Sequence, residues 1–201
     1  MQKAFQSRVV ERSASYKERV RTVTGDLSFD EENAQQSLLG KFCNANIIAL
    51  QELQKNISEE SLESAANLLK SADNIYIIGQ RRSFPIATYL NYVFNHANHR
   101  AHILSSIGGM LFEVADNMKE NDVVVAISYP PYSPETIKVA EIAAKKNVPL
   151  IVITDSDLSP ISASAKIFFE VEDGEVHTFR SLSSSMCLAQ ALGTLLAFKS
   201  D

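Results

Sequence analysis

The sequence lacks the features that mark secreted, membrane-embedded or cysteine-built proteins. It has two cysteines in 201 residues, Cys43 and Cys187, with no CxxC or Cys/His spacing around them. We therefore expect buried free thiols in a reducing cytoplasm, and neither a disulfide nor a zinc site. No apolar run approaches the roughly 20 residues that a membrane span needs, and the amino terminus lacks the charged-then-apolar layout of a secretion signal. The prediction is a cytoplasmic protein without a membrane partner.

A surplus of positive charge is also missing. The formal net charge is −5 and the pI is about 5.4, whereas surfaces that bind nucleic acid are normally basic overall or in a dense patch. The one basic concentration, between Lys3 and Arg21, is spread through a helical pattern with interleaved acids. That pattern indicates a solvated helix face. The chain is not expected to bind DNA by itself.

Familiar catalytic and metal-binding motifs are absent as well. The sequence contains no GxGxxG, no Walker loop and no nucleophile elbow. His96, His99 and His102 lie close together, but the third falls beyond the end of the predicted helix and no carboxylate accompanies them. They are more typical of surface or core histidines than of a metal site. We expect no cofactor and no metal, and His177 stays an open candidate for a ligand contact.

What is present divides into a helical first part, residues 1–72, and an α/β second part, residues 73–201. Helical patterns run up to Thr24, from Asp30 to Leu53, and onward from Ser58. Beyond residue 73, short apolar runs alternate with helical stretches, as in a parallel sheet covered on both faces. The pattern predicts a three-layer α/β/α sandwich with a five-stranded parallel sheet, preceded by helices. The predicted strands are 75–78, 101–104, 123–127, 150–153 and 167–171, and the helices that follow are 84–97, 109–119, 134–147 and one after residue 179.

The loop after the first strand has the composition of an anion site. Ligands of open parallel sheets bind at the carboxyl ends of strands, near the point where strand order reverses. Residues 80–83 offer guanidinium groups, a hydroxyl and backbone N–H groups at a helix start. The alternative is that Ser83 merely caps the helix. Of the two arginines in this loop, we expect one to face a ligand. The candidates are Gln80, Arg81, Arg82 and Ser83.

The loop after the third strand carries hydroxyl groups around another helix start. Ser128, Ser133 and Thr136 surround a turn that three prolines stiffen, and rigid placement lowers the ordering cost of binding. The alternative is a plain proline-rich turn with a serine cap at Ser133. After the fourth strand, residues 154–157 lack the spacing and the glycine of a calcium loop, so a capped turn is expected there.

Both loops resemble those of the sugar isomerase (SIS) domain. The residues that carry the resemblance are Gly79-x-x-x-Ser83 and Ile127-Ser128-x-x-x-x-Ser133-x-Glu135. It covers about residues 74–198 and implies a five-stranded parallel α/β sandwich that binds a phosphosugar. Five further runs are similar to the RpiR/MurR branch of bacterial transcription regulators: 81–85, 126–128, 135–136, 179–182 and 188–192.

In the RpiR/MurR family an amino-terminal helix-turn-helix domain binds DNA, while the SIS domain senses a sugar phosphate. The resemblance therefore implies the sensing domain of a regulator of carbohydrate metabolism, without catalysis, whose effector is a phosphorylated sugar or sugar-derived acid. Residues 1–72 resemble the tail of the DNA-binding domain and the connector helices. DNA would then be bound only through a helix-turn-helix domain that is missing or truncated ahead of them. A homodimer or homotetramer is expected.

The resemblance assigns the phosphate role to Ser83, Ser128 and Ser133. This sequence departs from the family pattern in both loops. In the second loop Pro130 and Pro131 replace the usual second serine and glycine, and Ser133 replaces the threonine. In the first loop Arg81 stands where a second glycine is common. The identity of the sugar does not follow, and the turn 129–132 is the expected source of its specificity. The full set of expected ligand-binding residues is Gln80, Arg81, Arg82, Ser83, Ser128, Tyr129, Tyr132, Ser133, Glu135 and Thr136, and no catalytic residue is assigned.

Two other functions stay open. An aldose–ketose sugar-phosphate isomerase of the SIS class needs a general base, usually Glu or His, beside the substrate carbon. Glu135, Glu113 and His177 are the candidates for that base, and the sequence shows no partner that would tune the pKa of any of them. The second is a purely structural dimerisation module, against which the hydroxyl-rich loops argue.

Overall fold

The structure is a computed structural model, and it describes residues 37–200. The helix predicted up to Thr24 and the helix start predicted at Asp30 lie outside the described residues. The helices are α1 (Leu38–Asn56), α2 (Glu59–Lys70), α3 (Phe84–His96), α4 (Leu111–Asp116), α5 (Pro134–Lys145) and α6 (Ser183–Ser200). The strands are β1 (Ile75–Gly79), β2 (Ala101–Ile103), β3 (Val123–Ile127), β4 (Leu150–Thr154), β5 (Ile167–Glu170), β6 (Glu175–Val176) and β7 (Phe179–Arg180).

Five strands form one parallel sheet in the order β2-β1-β3-β4-β5. The predicted five-stranded parallel sheet is therefore confirmed. The predicted bounds of β3 are those observed, and each of the other four strands differs from its prediction by one residue at its carboxyl end. The strand order reverses between β1 and β3, because β2 lies on one side of β1 and β3 on the other.

Helices cover both faces of the sheet because both faces of its central strands are apolar. Every residue of β3 and of β4 is buried, which leaves no polar face for solvent. One face, which includes Val125, packs against α2, α3 and α6. The other face, which includes Val124, packs against α4 and α5. The three-layer α/β/α sandwich follows from this arrangement, as predicted.

Helix α1 lies against α6 and the hairpin formed by β6 and β7. Its apolar side chains are buried at the carboxyl-terminal end, where Ala49 and Leu53 lie in contact with the domain. At the other end Leu38 is 63% exposed. The helix therefore joins the domain through its second half.

Helix α2 begins as its sequence predicts. The Ser58 side chain accepts a hydrogen bond of 3.1 Å from the backbone N–H of Ser61. Glu59 and Glu60 occupy the first turn, where the positive end of the helix dipole stabilises carboxylates. Residues 65, 66 and 69 form its buried face.

Replacing Ser58 with alanine is expected to lower the free energy of unfolding by about 1 kcal/mol, because one amide donor of the first turn loses its acceptor. Urea denaturation followed by circular dichroism measures this change. Ser64→Ala is the matched control, since Ser64 is an exposed residue inside the same helix and alanine has the higher helix propensity. Equal stability of Ser58→Ala and the unmodified chain would contradict the capping role.

Besides shifts at the ends of elements, two features differ from the sequence-based expectation. The helix predicted over 109–119 spans only Leu111–Asp116, because Gly108 and Gly109 have φ values of 72° and 73° and keep the chain out of helical geometry before it. The sequence pattern does not predict the β6–β7 hairpin. His177 and Thr178 at its tip both have positive φ. The usual sequence signal for such a turn is Asn-Gly, which is absent at these two positions.

The expectation of buried thiols is wrong. Cys43 and Cys187 are both exposed and free. Each lies on the outward side of a surface helix, and larger apolar side chains such as Leu53 and Leu188 occupy the inward side. Among residues 37–200, no helix combines the length and the apolar character of a membrane span.

Candidate phosphate-binding site

The two hydroxyl-bearing loops emerge side by side at the reversal of strand order. Gly79, the last residue of β1, is in register with Ile127, the last residue of β3. The next residues therefore start from adjacent points at the carboxyl edge of the sheet. This is the position at which open parallel sheets bind ligands.

The first loop folds into a tight turn before α3. The backbone N–H of Ser83 donates to the carbonyl of Gln80 at 3.0 Å, and Arg81 has a φ of 54°. Ser83 is 2% exposed, and its side chain makes no capping hydrogen bond to the helix. The alternative that Ser83 merely caps α3 is thus wrong.

The second loop begins at Ser128, which is 3% exposed and whose backbone N–H donates to the carbonyl of Ile153 at 3.1 Å. Ser133 caps α5, because its hydroxyl accepts the N–H of Thr136 at 3.4 Å. The same hydroxyl donates to a carboxylate oxygen of Glu135. That hydrogen bond is the main reason that the pKa of Glu135 lies below its ordinary value.

Three buried polar atoms in these loops have no hydrogen-bond partner within residues 37–200. They are Nε2 of Gln80, Nε of Arg82 and Oγ1 of Thr136. Thr136 is fully buried. Buried polar groups are almost always paired in folded proteins, so unpaired atoms in two neighbouring loops indicate a place for a polar ligand. Phosphate oxygens are acceptors that suit each of these three kinds of donor.

Arg82 is held by the protein on several sides. Its guanidinium donates to the Asp173 carboxylate at 3.0 Å and to the Ser181 carbonyl at 3.2 Å. It also lies 4.8 Å from the ring centroid of Tyr129. Burial lowers the pKa of Arg82, and the Asp173 carboxylate opposes that change. Arg81 is exposed instead.

Asp173 is the residue that sequence reasoning missed. Its side chain is fully buried, and it accepts the backbone N–H groups of Ser184 and Ser185 at 3.0 and 3.1 Å. The Ser185 hydroxyl also donates to it at 2.8 Å. These contacts satisfy donors at the amino terminus of α6. The only signal in the sequence was Asp173-Gly174, which is typical of a turn.

Tyr129 is 5% exposed, and its hydroxyl lies 2.6 Å from that of Ser185. Burial raises the pKa of Tyr129, and the charge of Asp173 raises it further. The phenol is therefore neutral and fixed within the protein. Tyr132 is half-buried and donates to Asp155 in the loop after β4 at 2.8 Å, so three loops meet at this edge of the sheet.

The histidines lie apart from these contacts. His99 pairs with the Ser200 hydroxyl at 2.8 Å, and His102 lies against Tyr76. His177 is exposed at the tip of the hairpin. Within residues 37–200, no group of three His, Cys, Asp or Glu side chains is arranged to hold a metal ion.

The fold and these loops define a class of protein, and the chain belongs to the SIS domain family, which matches residues 68–195. The particular relatives come from structural similarity. The sugar isomerase domain of the RpiR transcription factor from Sphaerobacter thermophilus is 22% identical with a TM-score of 0.78, and the match covers 82% of this chain and 92% of that one. The Vibrio vulnificus NanR protein complexed with ManNAc-6P is 20% identical with a TM-score of 0.68, and the match covers 81% of this chain and 61% of that one.

Similar proteins also include enzymes. A Methanococcus jannaschii protein whose structure was interpreted as that of a 3-hexulose-6-phosphate isomerase is 17% identical with a TM-score of 0.59, and the match covers 79% of this chain and 86% of that one. The bifunctional protein glk of Paraburkholderia xenovorans is 27% identical over 139 residues, which are 68% of this chain. The match spans about a fifth, 21%, of the length of glk.

Proposed function

We propose that this chain is the sugar-phosphate-sensing domain of a bacterial transcription regulator of carbohydrate metabolism. The observation that carries the proposal is the pair of loops at the strand-order reversal, with buried, unpaired donors from Gln80, Arg82 and Thr136 beside Ser83 and Ser128. Neutral and charged donors of this kind suit a dianionic phosphate. The structural similarity to RpiR and NanR regulators supports the same class.

In this proposal residues 73–201 form the sensing domain and residues 1–72 connect it to a DNA-binding domain. The protein acts in the cytoplasm as a homodimer or homotetramer. Ser83 and Ser128 contact the phosphate. Ser133, to which the resemblance assigns the same phosphate role, caps α5 and donates to Glu135. We therefore propose that Ser133 and the Glu135 carboxylate contact a sugar hydroxyl rather than the phosphate.

The isomerase alternative depends on a general base, and the hydrogen bond from Ser133 disfavours Glu135, its first candidate. A useful base has a pKa near the working pH. The hydrogen bond from Ser133 lowers the pKa of Glu135 instead. Glu113 and His177 are exposed. We therefore propose sensing rather than catalysis.

Thermal-shift measurement with a panel of sugar phosphates tests the proposal. The panel is ManNAc-6P, arabinose 5-phosphate, glucose 6-phosphate and 6-phosphogluconate, with the matching unphosphorylated sugars as controls. A ligand at about 100 times its Kd stabilises the folded state by about 2.7 kcal/mol, which raises the Tm of a domain of this size by roughly 5–10 °C. If no panel member raises the Tm, sugar-phosphate sensing is contradicted.

Ser83→Ala and Ser128→Ala are each expected to weaken binding of the active panel member about 10-fold or more, because a hydrogen bond to a charged group contributes about 1.5–3 kcal/mol. Calorimetric titration measures the affinity. Ser164→Ala is the matched control, since Ser164 is exposed and lies before β5. Unchanged affinity in both variants would show that the phosphate does not bind at Ser83 and Ser128.

Long incubation separates sensing from isomerisation. Each active panel member is held with the protein for a day, and the sugar is then identified by nuclear magnetic resonance. Recovery of the unchanged sugar supports the sensing role. Conversion to the isomeric ketose or aldose phosphate, lost in Glu135→Gln, would establish the enzyme instead.

A further inference from the structure

One short segment touches both the candidate phosphate loops and helix α1. It consists of Asp173 and Gly174, between β5 and the hairpin. Asp173 binds Arg82 of the first loop directly and reaches Tyr129 of the second loop through the Ser185 hydroxyl. Both loops therefore fix the position of one buried carboxylate.

The neighbouring glycine carries the contact to α1. A Cβ at Gly174 would lie 2.8 Å from the backbone carbon of Ala45 and 2.8 Å from Oδ1 of Asn46. Gly174 is buried, so its backbone rests directly on the helix with no side chain between them. Its carbonyl also accepts the N–H of Ser181 at 2.7 Å, which ties it to the chain that leads into α6.

The Asn46 side chain lies against Gly174, so a movement of the glycine would displace it. Its Oδ1 is buried and has no hydrogen-bond partner in the described part of the chain. Within the described residues, Oδ1 of Asn46 is thus held by packing against the Gly174 backbone and not by a hydrogen bond. The contact with Ala45 involves backbone on both sides, so a displacement of Gly174 cannot be absorbed there by a rotamer change.

We propose that Asp173 and Gly174 couple the occupied phosphate site to helix α1. A phosphate that accepts from the unpaired Nε of Arg82 attracts the guanidinium that Asp173 holds through Nη2, and the Asp173–Gly174 segment then shifts against residues 45 and 46. This inference rests on the proposed sensing function and adds its route of transmission. The coupling needs two arrangements of the segment with different affinities for the phosphate.

Hydrogen–deuterium exchange of residues 38–56 tests the coupling, with ManNAc-6P, arabinose 5-phosphate or glucose 6-phosphate as the probe, whichever raises the Tm most. In the unmodified chain we expect the probe to change the exchange rates of α1 at least threefold. Gly174→Ala, whose Cβ would lie 2.8 Å from the Ala45 backbone, is expected to lose the α1 response. Gly40→Ala on the same helix is the matched control, because its Cβ would meet only Ser37 Oγ at 3.5 Å, an ordinary contact.

A second variant guards against misfolding of Gly174→Ala. Asn46→Ala removes the amide that rests on the glycine without breaking a hydrogen bond made by Oδ1, and alanine favours the helix. We expect it to reduce the α1 response at unchanged probe affinity.

The outcomes distinguish the two proposals. Binding of a probe with no change in α1 exchange overturns the coupling and leaves the sensing function intact. A full α1 response in both Gly174→Ala and Asn46→Ala also overturns the coupling. Failure of every sugar phosphate to bind overturns the sensing function and the coupling with it.

Discussion

Replacing Asp173 with alanine is expected to lower the free energy of unfolding by about 3–5 kcal/mol. The carboxylate is fully buried and balances the charge of Arg82 at 3.0 Å. Removing one partner of such a pair leaves the other charge uncompensated, which costs about that much. The Arg82 side chain retains 28% exposure, so solvent reduces the loss toward the lower end of the range.

The same substitution also removes the acceptor of three donors at the start of α6. Two backbone N–H groups, of Ser184 and Ser185, and the Ser185 hydroxyl lose their acceptor. Loss of a helix cap alone costs about 1 kcal/mol. The effect should therefore exceed that of any surface substitution in the chain.

Urea denaturation of Asp173→Ala, Asp173→Asn and Glu172→Gln measures these contributions separately. The asparagine keeps an oxygen acceptor but removes the charge, so its loss should be smaller than that of alanine. Glu172 is the exposed neighbour in sequence, and its neutralisation should change stability by less than about 0.5 kcal/mol. A stability of Asp173→Ala within about 1 kcal/mol of the unmodified chain would show that the pair is not structural.

The sheet could be predicted from the sequence because its signal is local. Strands buried on both faces require continuous apolar runs, and the run at β3 is unbroken from Val123 to Ile127. Loop positions followed from the strands, since parallel strands all end at one edge. Ser83 and Ser128 lie at that edge in the structure.

The contacts of Asp173 could not be predicted, because they join residues far apart in the chain. Arg82 and Asp173 are separated by 91 positions, and Tyr129 and Ser185 by 56. Sequence periodicity reports which face of an element is apolar, but not which buried polar groups meet across loops. From the sequence, Arg81 and Arg82 are equally good candidates for a ligand contact. The fold shows that the Asp173 carboxylate already binds Arg82.

Replacing Gly79 with alanine is expected to distort the first phosphate loop and to weaken sugar-phosphate binding at least 10-fold. A Cβ at this position would lie 2.8 Å from the carbonyl oxygen of Ser83 and 3.1 Å from its carbonyl carbon. It would also meet the Cβ of Ala87 at 3.2 Å. Because these atoms belong to backbone and to an alanine, no side-chain rotation relieves the contact, and residue 83 must move by several tenths of an ångström.

Gly193→Ala separates the loss of stability from the loss of binding. Its Cβ would meet Val93 Cγ2 at 2.6 Å, in the contact between α6 and α3. Both substitutions overpack the protein, and each should lower the free energy of unfolding by about 1–3 kcal/mol. Only Gly79 lies at the end of β1 against the candidate phosphate loop.

We therefore expect the two variants to have similar stability and different affinity for the active sugar phosphate. Calorimetric titration well below the Tm of both variants makes the comparison, since both are then fully folded. The Kd of Gly193→Ala should stay within about twofold of the unmodified chain. A Gly79→Ala variant that binds equally well would mean that Ser83 does not contact the phosphate, because its backbone cannot remain in place beside the new methyl group.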